Sequence, residues 1–129
     1  MMDATSAAEP RRSILVVEDD EDIRQTIARA LEAAGYTVAT ARNGREALDL
    51  LSGTERPCLI LLDLLMPVMN GPDFLSELRA HDVMAGIPVV VVSAYERLAA
   101  SLPVQGVIRK PFELQDLFAT AARYCAPAP

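Results

Sequence analysis

The sequence predicts an α/β fold in which helices cover a buried parallel sheet, and three observations support this class. Short runs of β-branched residues and leucines alternate along the chain with amphipathic stretches of helical period. Most of these runs are apolar throughout, as expected for strands that are covered on both faces. The chain has 129 residues, of which 51 % are hydrophobic, so it can form one sizeable core but is short for two domains.

Five strands are predicted, and a helix follows each of them. The first helix carries an apolar face that includes Ile27 and Leu31, and Gly35 is placed to end it. Asn43 is a suitable N-cap for the second helix, and Pro72 suits the first position of the third. The predicted strands are 14–17, 36–41, 58–62, 87–92 and 106–109.

The last two helices are predicted with less regular sequences. The fourth is a brief segment near residues 96–102 that Pro103 stops. The fifth has four apolar residues at helical spacing, which are expected to face inward: Leu114, Leu117, Phe118 and Ala121. The ends of the chain, residues 1–12 and 126–129, have no such periodicity and are expected to be flexible tails around one domain at 13–125.

Composition and charge exclude several classes of function. Eighteen acidic and twelve basic residues give a net charge of -6, and the basic residues form no cluster, so direct binding of nucleic acid is not expected. The longest apolar stretch, 58–69, is too short to span a membrane, and the N-terminus lacks the apolar segment of a secretory signal. A cytoplasmic protein is therefore expected. Cys58 and Cys125 do not resemble a disulfide framework, so both are expected to be reduced thiols.

Polar side chains directly follow the predicted strands. Glu18, Asp19, Asp20 and Glu21 follow the first strand, Asp63 the third, Ser93 the fourth and Lys110 the fifth. Ligands of open parallel sheets bind at the carboxyl ends of the strands. We therefore expect side chains from these four strand ends to converge on one site.

The residue types suggest phosphoryl transfer. Converging carboxylates repel one another unless a cation relieves the repulsion, and Mg²⁺ prefers such oxygen ligands. Asp63 is then the candidate nucleophile, and the backbone carbonyl of Leu65 is a further metal ligand. Lys110 and the Ser93 hydroxyl would neutralise and hydrogen-bond the phosphoryl oxygens. Lys110 is the only lysine beside eleven arginines, which indicates a role for a compact, flexible cation.

Several alternatives use parts of the same pattern. Asp20 and Glu21 could contribute to the acidic site, or they could cap the first helix and stabilise its dipole. A haloacid-dehalogenase-like phosphatase needs a second carboxylate two residues after the nucleophile, where Leu65 stands. A nucleotide-binding module would have a glycine-rich loop after the first strand, where this sequence is acidic.

The chain resembles the receiver domain of bacterial two-component response regulators over about residues 13–125. Four separated motifs carry the resemblance: Val-Val-Glu18-Asp19, Asp63-Leu-Leu-Met-Pro67 through Gly71, Ser93-Ala94 and Lys110-Pro111-Phe112. The resemblance implies a flavodoxin-like (βα)5 three-layer sandwich with strand order 2-1-3-4-5 and a cis Lys-Pro bond. It assigns the metal-binding acidic pair to Glu18 and Asp19, which follow Val16 and Val17, so Asp20 and Glu21 are expected to cap the first helix. It also implies that a histidine kinase or a phosphotransfer protein donates the phosphoryl group, and that the domain assists its own phosphorylation and dephosphorylation without being an enzyme.

The sequence departs from this family near the usual output surface. Val107 stands where the family usually has Tyr or Phe, and the stretch from Ser93 to Lys110 is several residues shorter than usual. The fourth helix is therefore expected to be short or irregular.

The downstream partner is expected to be another protein of unknown identity. A receiver-like module that binds its partner without phosphorylation is the alternative, although the retained site residues argue against it.

Overall fold

The computed structural model describes residues 12–53 and 56–126. The predicted tails lie outside this part of the chain, apart from Arg12 and Ala126. Five strands alternate with five helices in the described residues, as the sequence predicts. The elements are β1 (Ser13–Val17), α1 (Glu21–Ala33), β2 (Thr37–Ala41), α2 (Gly44–Gly53), β3 (Leu59–Leu62), α3 (Gly71–Arg79), β4 (Val89–Ser93), α4 (Glu96–Ala100), β5 (Gly106–Arg109) and α5 (Leu114–Tyr124).

The strands form one parallel sheet in the order β2-β1-β3-β4-β5, which confirms the order implied by the resemblance. Strands β1, β3 and β4 occupy its centre and are buried almost throughout, because helices cover both faces. Val17 pairs with Ala41 on one side and with Leu62 on the other. The ends of β1, β2 and β3 are therefore level.

Alternate residues of the strands pack into two hydrophobic layers on opposite faces of the sheet. One layer contains α2 and α3, and the other contains α1 and α5, which confirms the three-layer arrangement. The first layer includes Leu15, Val17, Ile60, Leu62, Leu48, Phe74 and Leu78. The second layer includes Ile14, Val16, Leu59, Leu61, Ile27, Leu31, Leu117 and Ala121.

Side chains at the helix starts behave largely as the sequence predicts. The Asn43 side chain accepts a hydrogen bond from the Glu46 N–H at 2.9 Å. Asn70 caps α3, so Pro72 is its second residue rather than its first. The prediction that Leu114 faces inward is wrong, since it is 45 % exposed. Leu114 is the first residue of α5, where the buried stripe has not yet begun.

None of the helices in the described residues is long and apolar enough to cross a bilayer.

Helix α4 is only five residues long, in agreement with the predicted short fourth helix. Ala99 is its buried residue and packs against Leu64 and Val91. An exposed ion pair between Glu96 and Arg109 also joins α4 to β5. Few contacts therefore attach this helix to the sheet.

The expectation of reduced thiols is wrong for this structure, because Cys58 and Cys125 form a disulfide. Cys58 directly precedes β3, Cys125 is the C-cap of α5, and their Cα atoms lie 5.3 Å apart. They are 67 residues apart in the sequence. Helix α5 returns along the sheet and brings its end to the edge where β3 begins, so the pairing depends on packing that the cysteine spacing does not show.

The loop between β3 and α3 folds back against the end of β3. The Gly71 N–H donates a hydrogen bond to the Leu64 carbonyl oxygen at 2.8 Å. A Cβ atom at position 71 would lie 2.7 Å from the carbonyl oxygen of Asp63 and 2.8 Å from the Cα atom of Leu64. Both distances are too short for carbon contacts, so glycine lets α3 begin directly on the backbone of Asp63.

We predict that Gly71→Ala lowers the free energy of unfolding by about 1–3 kcal/mol, because the added methyl group must displace backbone atoms. Urea denaturation would measure the change. Gly53→Ala is the matched control, since no described residue outside its own helix backbone and chain neighbours has an atom within 4 Å of its Cβ position. That variant should be unchanged or slightly more stable, because alanine restricts the unfolded chain. Equal destabilisation by the two substitutions would contradict the packing argument.

Candidate functional site

The carboxyl edge of the sheet places Glu18 and Asp63 next to each other. The Asp63 N–H donates to the Val17 carbonyl oxygen at 2.9 Å, and the Glu18 N–H donates to the Ala41 carbonyl oxygen at 3.0 Å. These bonds extend the parallel pairing one residue beyond the strands. Glu18 is 2 % exposed and Asp63 is 8 % exposed. Two carboxylates thus leave neighbouring strands at the same level and are both buried.

Asp19 completes a cluster of three carboxylates. One side-chain oxygen from each of Glu18, Asp19 and Asp63 lies within 4.8 Å of the others. Burial raises the pKa of Glu18 to about 7, and the negative charge of Asp63 also raises it. Burial likewise raises the pKa of Asp63 above its ordinary value. Ionising both Glu18 and Asp63 therefore costs free energy in the folded protein, and a cation at this position would reduce that cost.

Lys110 is the cation that the fold supplies to this cluster. Its Nζ atom lies 2.8 Å from Glu18 Oε1 and 3.5 Å from Asp63 Oδ1. Burial lowers the pKa of Lys110, but the hydrogen bond to Glu18 and the charges of both carboxylates outweigh burial and raise it. The ammonium therefore stays protonated and bridges two of the three acids, Glu18 and Asp63.

The Lys110–Pro111 peptide bond is cis, as the resemblance implies.

Ser93 ends β4 and is completely buried. Its Oγ atom accepts a hydrogen bond from the Tyr95 N–H at 2.9 Å, and its carbonyl oxygen accepts one from the Lys110 N–H at 3.0 Å. The hydroxyl makes no hydrogen bond to Asp63 or Lys110 in this structure. Because Oγ accepts a hydrogen bond from a backbone amide, its own hydrogen remains available for donation.

A cavity of about 260 Å³ opens beside the carboxylate cluster. Leu65 and Tyr95, which are about half exposed, form part of its wall. The other residues that line it are Glu18, Asp19, Asp20, Ile23, Asp63, Ala94 and Lys110. The structure thus brings four predicted side chains to one opening, together with Leu65, and leaves the Ser93 hydroxyl behind the wall.

The loop between β1 and α1 contains a contact that the sequence did not indicate. Arg24 Nη1 donates to the carbonyl oxygens of Glu18 at 3.0 Å and of Asp19 at 3.4 Å. The position of Arg24, one turn into α1, is compatible with a contact to the start of the helix. The sequence does not show that its partners are the carbonyl oxygens of Glu18 and Asp19. Asp20 caps α1 by accepting from the Ile23 N–H at 3.0 Å, which confirms the capping interpretation.

A family model for the response regulator receiver domain matches residues 14–122. The chain belongs to that family. The transcriptional regulatory protein PrrA of Mycobacterium tuberculosis is 40 % identical over 121 residues, which are 89 % of this chain and 49 % of PrrA. SphR of Synechococcus elongatus, an alkaline phosphatase synthesis transcriptional regulatory protein, is 36 % identical over 126 residues, covering 88 % of this chain and 48 % of SphR. The receiver chain thus spans about half the length of these relatives.

Solved receiver structures have the same fold. The chemotaxis protein CheY4 of Vibrio cholerae superposes with a TM-score of 0.80 at 30 % identity, covering 88 % of this chain and 98 % of CheY4. The response regulator TrrA of Thermotoga maritima, solved in complex with Mg²⁺ and BeF, has a TM-score of 0.78 at 27 % identity, covering 88 % of this chain and 98 % of TrrA. The flavodoxin-like class predicted for this receiver is therefore confirmed, and the domain serves signalling in two-component systems.

The carboxylates of this receiver suit a hard divalent cation. All three donors are oxygens and lie close enough to share one ion, and burial disfavours the ionisation of Glu18 and Asp63. Mg²⁺ is bound by few carboxylates together with water and phosphate oxygens, so the exposed side of Asp19 and the adjacent cavity leave room for the remaining ligands.

We predict that Asp63→Asn raises the free energy of unfolding by about 1 kcal/mol at pH 8 in metal-free buffer, because it removes a charge whose burial is unfavourable and which also raises the pKa of Glu18. The raised pKa means that the folded receiver binds this proton more tightly than the unfolded chain. Wild-type stability therefore falls as pH rises above the ordinary aspartate pKa of about 4. The advantage of the variant should shrink near pH 5.

Urea denaturation at both pH values with a chelator present would test this expectation. Asp49→Asn, which neutralises an exposed acid on α2, is the control and should change stability little at either pH. An equal advantage of Asp63→Asn at pH 5 and at pH 8 would show that ionisation of Asp63 does not strain the free protein.

Proposed function

We propose that this receiver accepts a phosphoryl group on Asp63 from a histidine kinase or a histidine phosphotransfer protein. The observation that carries the proposal is the convergence of a buried Asp63 with Lys110 and two further carboxylates at the wall of one cavity. Membership of the receiver family is consistent with this chemistry.

In the proposed reaction a carboxylate oxygen of Asp63 forms a bond to phosphorus. The bond from phosphorus to the donor's histidine nitrogen breaks, and that nitrogen keeps the electron pair. Lys110 already lies 3.5 Å from Asp63 Oδ1, so a small movement of its flexible side chain would bring the ammonium to a phosphoryl oxygen. Transfer thus needs little rearrangement of the main chain around Asp63.

Glu18, Asp19 and Asp63, with the Leu65 carbonyl, are the proposed ligands of Mg²⁺. The ion would neutralise negative charge on the transferring phosphoryl group. Glu18 is also paired with Lys110, at 2.8 Å. Metal and ammonium therefore share this carboxylate, and binding of the metal would weaken the attachment of Lys110 to Glu18 and favour its approach to the phosphoryl group.

Ser93 is proposed to recognise the phosphorylated state. Its hydroxyl hydrogen is available, but the group must turn from the Tyr95 amide toward the cavity to reach a phosphoryl oxygen. Such a movement would shift the loop that leads into the short α4. Phosphorylation is therefore proposed to act first on the loops after Asp63 and Ser93, and less on β5, where Val107 is small and partly exposed.

We propose a single receiver domain at residues 13–125 that works in the cytoplasm and signals to another protein.

Leu65 and Tyr95 at the cavity wall carry no carboxylate or carboxamide that could orient a water molecule for hydrolysis of the phosphoryl group. The receiver would therefore assist its own dephosphorylation only slowly.

We predict that acetyl phosphate adds one phosphoryl group to the wild-type receiver only in the presence of Mg²⁺. Asp63→Asn should remain unlabelled, because a carboxamide is a poor nucleophile. Intact-mass spectrometry measures the labelling of the wild type and of Asp63→Asn. Asp49→Asn is the control and should be labelled like the wild type. Equal labelling of Asp63→Asn, or labelling that persists with a chelator, would refute the proposed acceptor.

We predict that Lys110→Arg retains the fold but loses most of the response to beryllium fluoride. The planar guanidinium is too broad for a site in which the ammonium fits between carboxylates at 2.8 and 3.5 Å. Amide chemical shifts with and without beryllium fluoride would resolve the response residue by residue. A wild-type pattern of shifts in Lys110→Arg would show that only the charge of Lys110 matters.

A further inference from the structure

A second chemical site lies at the amino edge of the sheet, opposite the carboxylate cluster. A cavity of about 420 Å³ opens there beside the disulfide, and Cys58, Arg56 and Tyr124 line it. Both cysteines are 7 % exposed, so the sulfurs are shielded from bulk solvent. The cavity is therefore a route by which a small molecule could reach Cys58.

Arg56 brings a positive charge to this cavity. No carboxylate in the described part of the chain pairs with its guanidinium, and its Nε–H is buried without a hydrogen-bond acceptor there. Nη2 lies close to Gly86, where a Cβ atom would be only 3.1 Å away. Among the described residues the Nε–H donor has no acceptor and the guanidinium has no carboxylate partner, and both conditions favour an anionic ligand.

We propose that this cavity is a thiol–disulfide exchange site for low-molecular-weight thiols that carry a carboxylate. The carboxylate would pair with Arg56, and the thiol would reach Cys58 through the cavity. The inference depends on the disulfide, the cavity and Arg56, and not on phosphorylation of Asp63.

The exchange proceeds in two balanced steps. The thiolate of the small molecule attacks the Cys58 sulfur, the bond between the two cysteines breaks, and Cys125 leaves as a thiolate. A second small thiolate then attacks the mixed disulfide, which releases Cys58 as a thiolate and the oxidised small molecule. Two small thiols are oxidised and the protein disulfide is reduced, and both cysteines take protons from water. Arg56 would also stabilise the Cys58 thiolate by its charge.

Reduction would change how α5 is attached to the sheet. The disulfide joins the end of α5 to the start of β3. Without it, the last turn of α5 depends on noncovalent contacts such as those of Ala121 in the hydrophobic layer. The thiol content of the surroundings would then control the position of the last helix.

Reduction rates with two small thiols would test the proposal in the full chain. 3-Mercaptopropionate carries a carboxylate and 2-mercaptoethanol does not. Reactions stopped with N-ethylmaleimide would be followed by intact mass, and the rate with the anionic thiol divided by the rate with the neutral thiol is the quantity compared. Arg56→Gln should lower this ratio about two- to fivefold, as expected for one partly exposed charge pair.

Two matched variants and one change of conditions complete the design. Arg56→Lys should restore most of the ratio, and Arg45→Gln, which removes an exposed charge on α2, should leave it unchanged. Raising the ionic strength from about 0.01 M to about 1 M should narrow the difference in this ratio between the wild type and Arg56→Gln, because salt screens the charge of Arg56 while the overall charge of -6 affects both proteins alike. Peptide mapping after brief exposure should find the mixed disulfide on Cys58.

Three results would overturn the proposal. The first is the same rate ratio in the wild type and in Arg56→Gln at both ionic strengths. The second is a mixed disulfide found mainly on Cys125. The third is a protein that keeps two free thiols after incubation with oxidised 2-mercaptoethanol, because the disulfide would then not form.

Discussion

Lys110 is the cation that contacts the buried carboxylates of Glu18 and Asp63 in the described chain, at 2.8 and 3.5 Å. Without it, two acids on adjacent strands would face each other with little access to water, and burial already raises the pKa of both. The lysine reduces this repulsion only in part, because one ammonium contacts two carboxylates and Asp19 adds a third negative charge beside them. The remaining negative charge would make the site receptive to the proposed metal ion and to the phosphoryl group that it accompanies.

Contacts to the backbone, rather than contacts between side chains, fix the relative positions of the three carboxylate residues. Parallel pairing continues one residue past the strands, so Glu18 and Asp63 start from fixed points. Gly71 then lets α3 begin against the carbonyl oxygen of Asp63. Arg24 holds the carbonyls of Glu18 and Asp19 from the other side. A site built from flexible carboxylates and a lysine is thereby attached to rigid elements.

The sequence predicted those features that depend on local pattern. Hydrophobic runs and helical periodicity located all ten elements, and the polar residues after the strands located the site, because a parallel sheet collects its strand ends at one edge. Family motifs supplied the strand order and the cis bond at Pro111. Features that depend on packing between distant segments were missed, namely the pairing of Cys58 with Cys125 and the contact of Arg24.

Two smaller differences have the same origin. Leu114 fits the apolar period of α5 but lies at the first position of the helix, where no layer covers it. The direction of the Ser93 hydroxyl depends on the amide of Tyr95 in the following loop, and a rotatable group of this kind leaves no trace in a pattern of residue types.

Helix α4 has a consequence for how this receiver could transmit a signal. Five residues form little more than one turn, and so short a helix does not persist by its own hydrogen bonds. Its helical conformation depends on two tertiary contacts. Ala99 packs on Leu64 and Val91, and Glu96 forms an exposed ion pair with Arg109. The neighbouring helices bury several side chains each and are far more firmly held. Winding and unwinding of a single turn can therefore report on the loop that leads into it while the sheet stays intact.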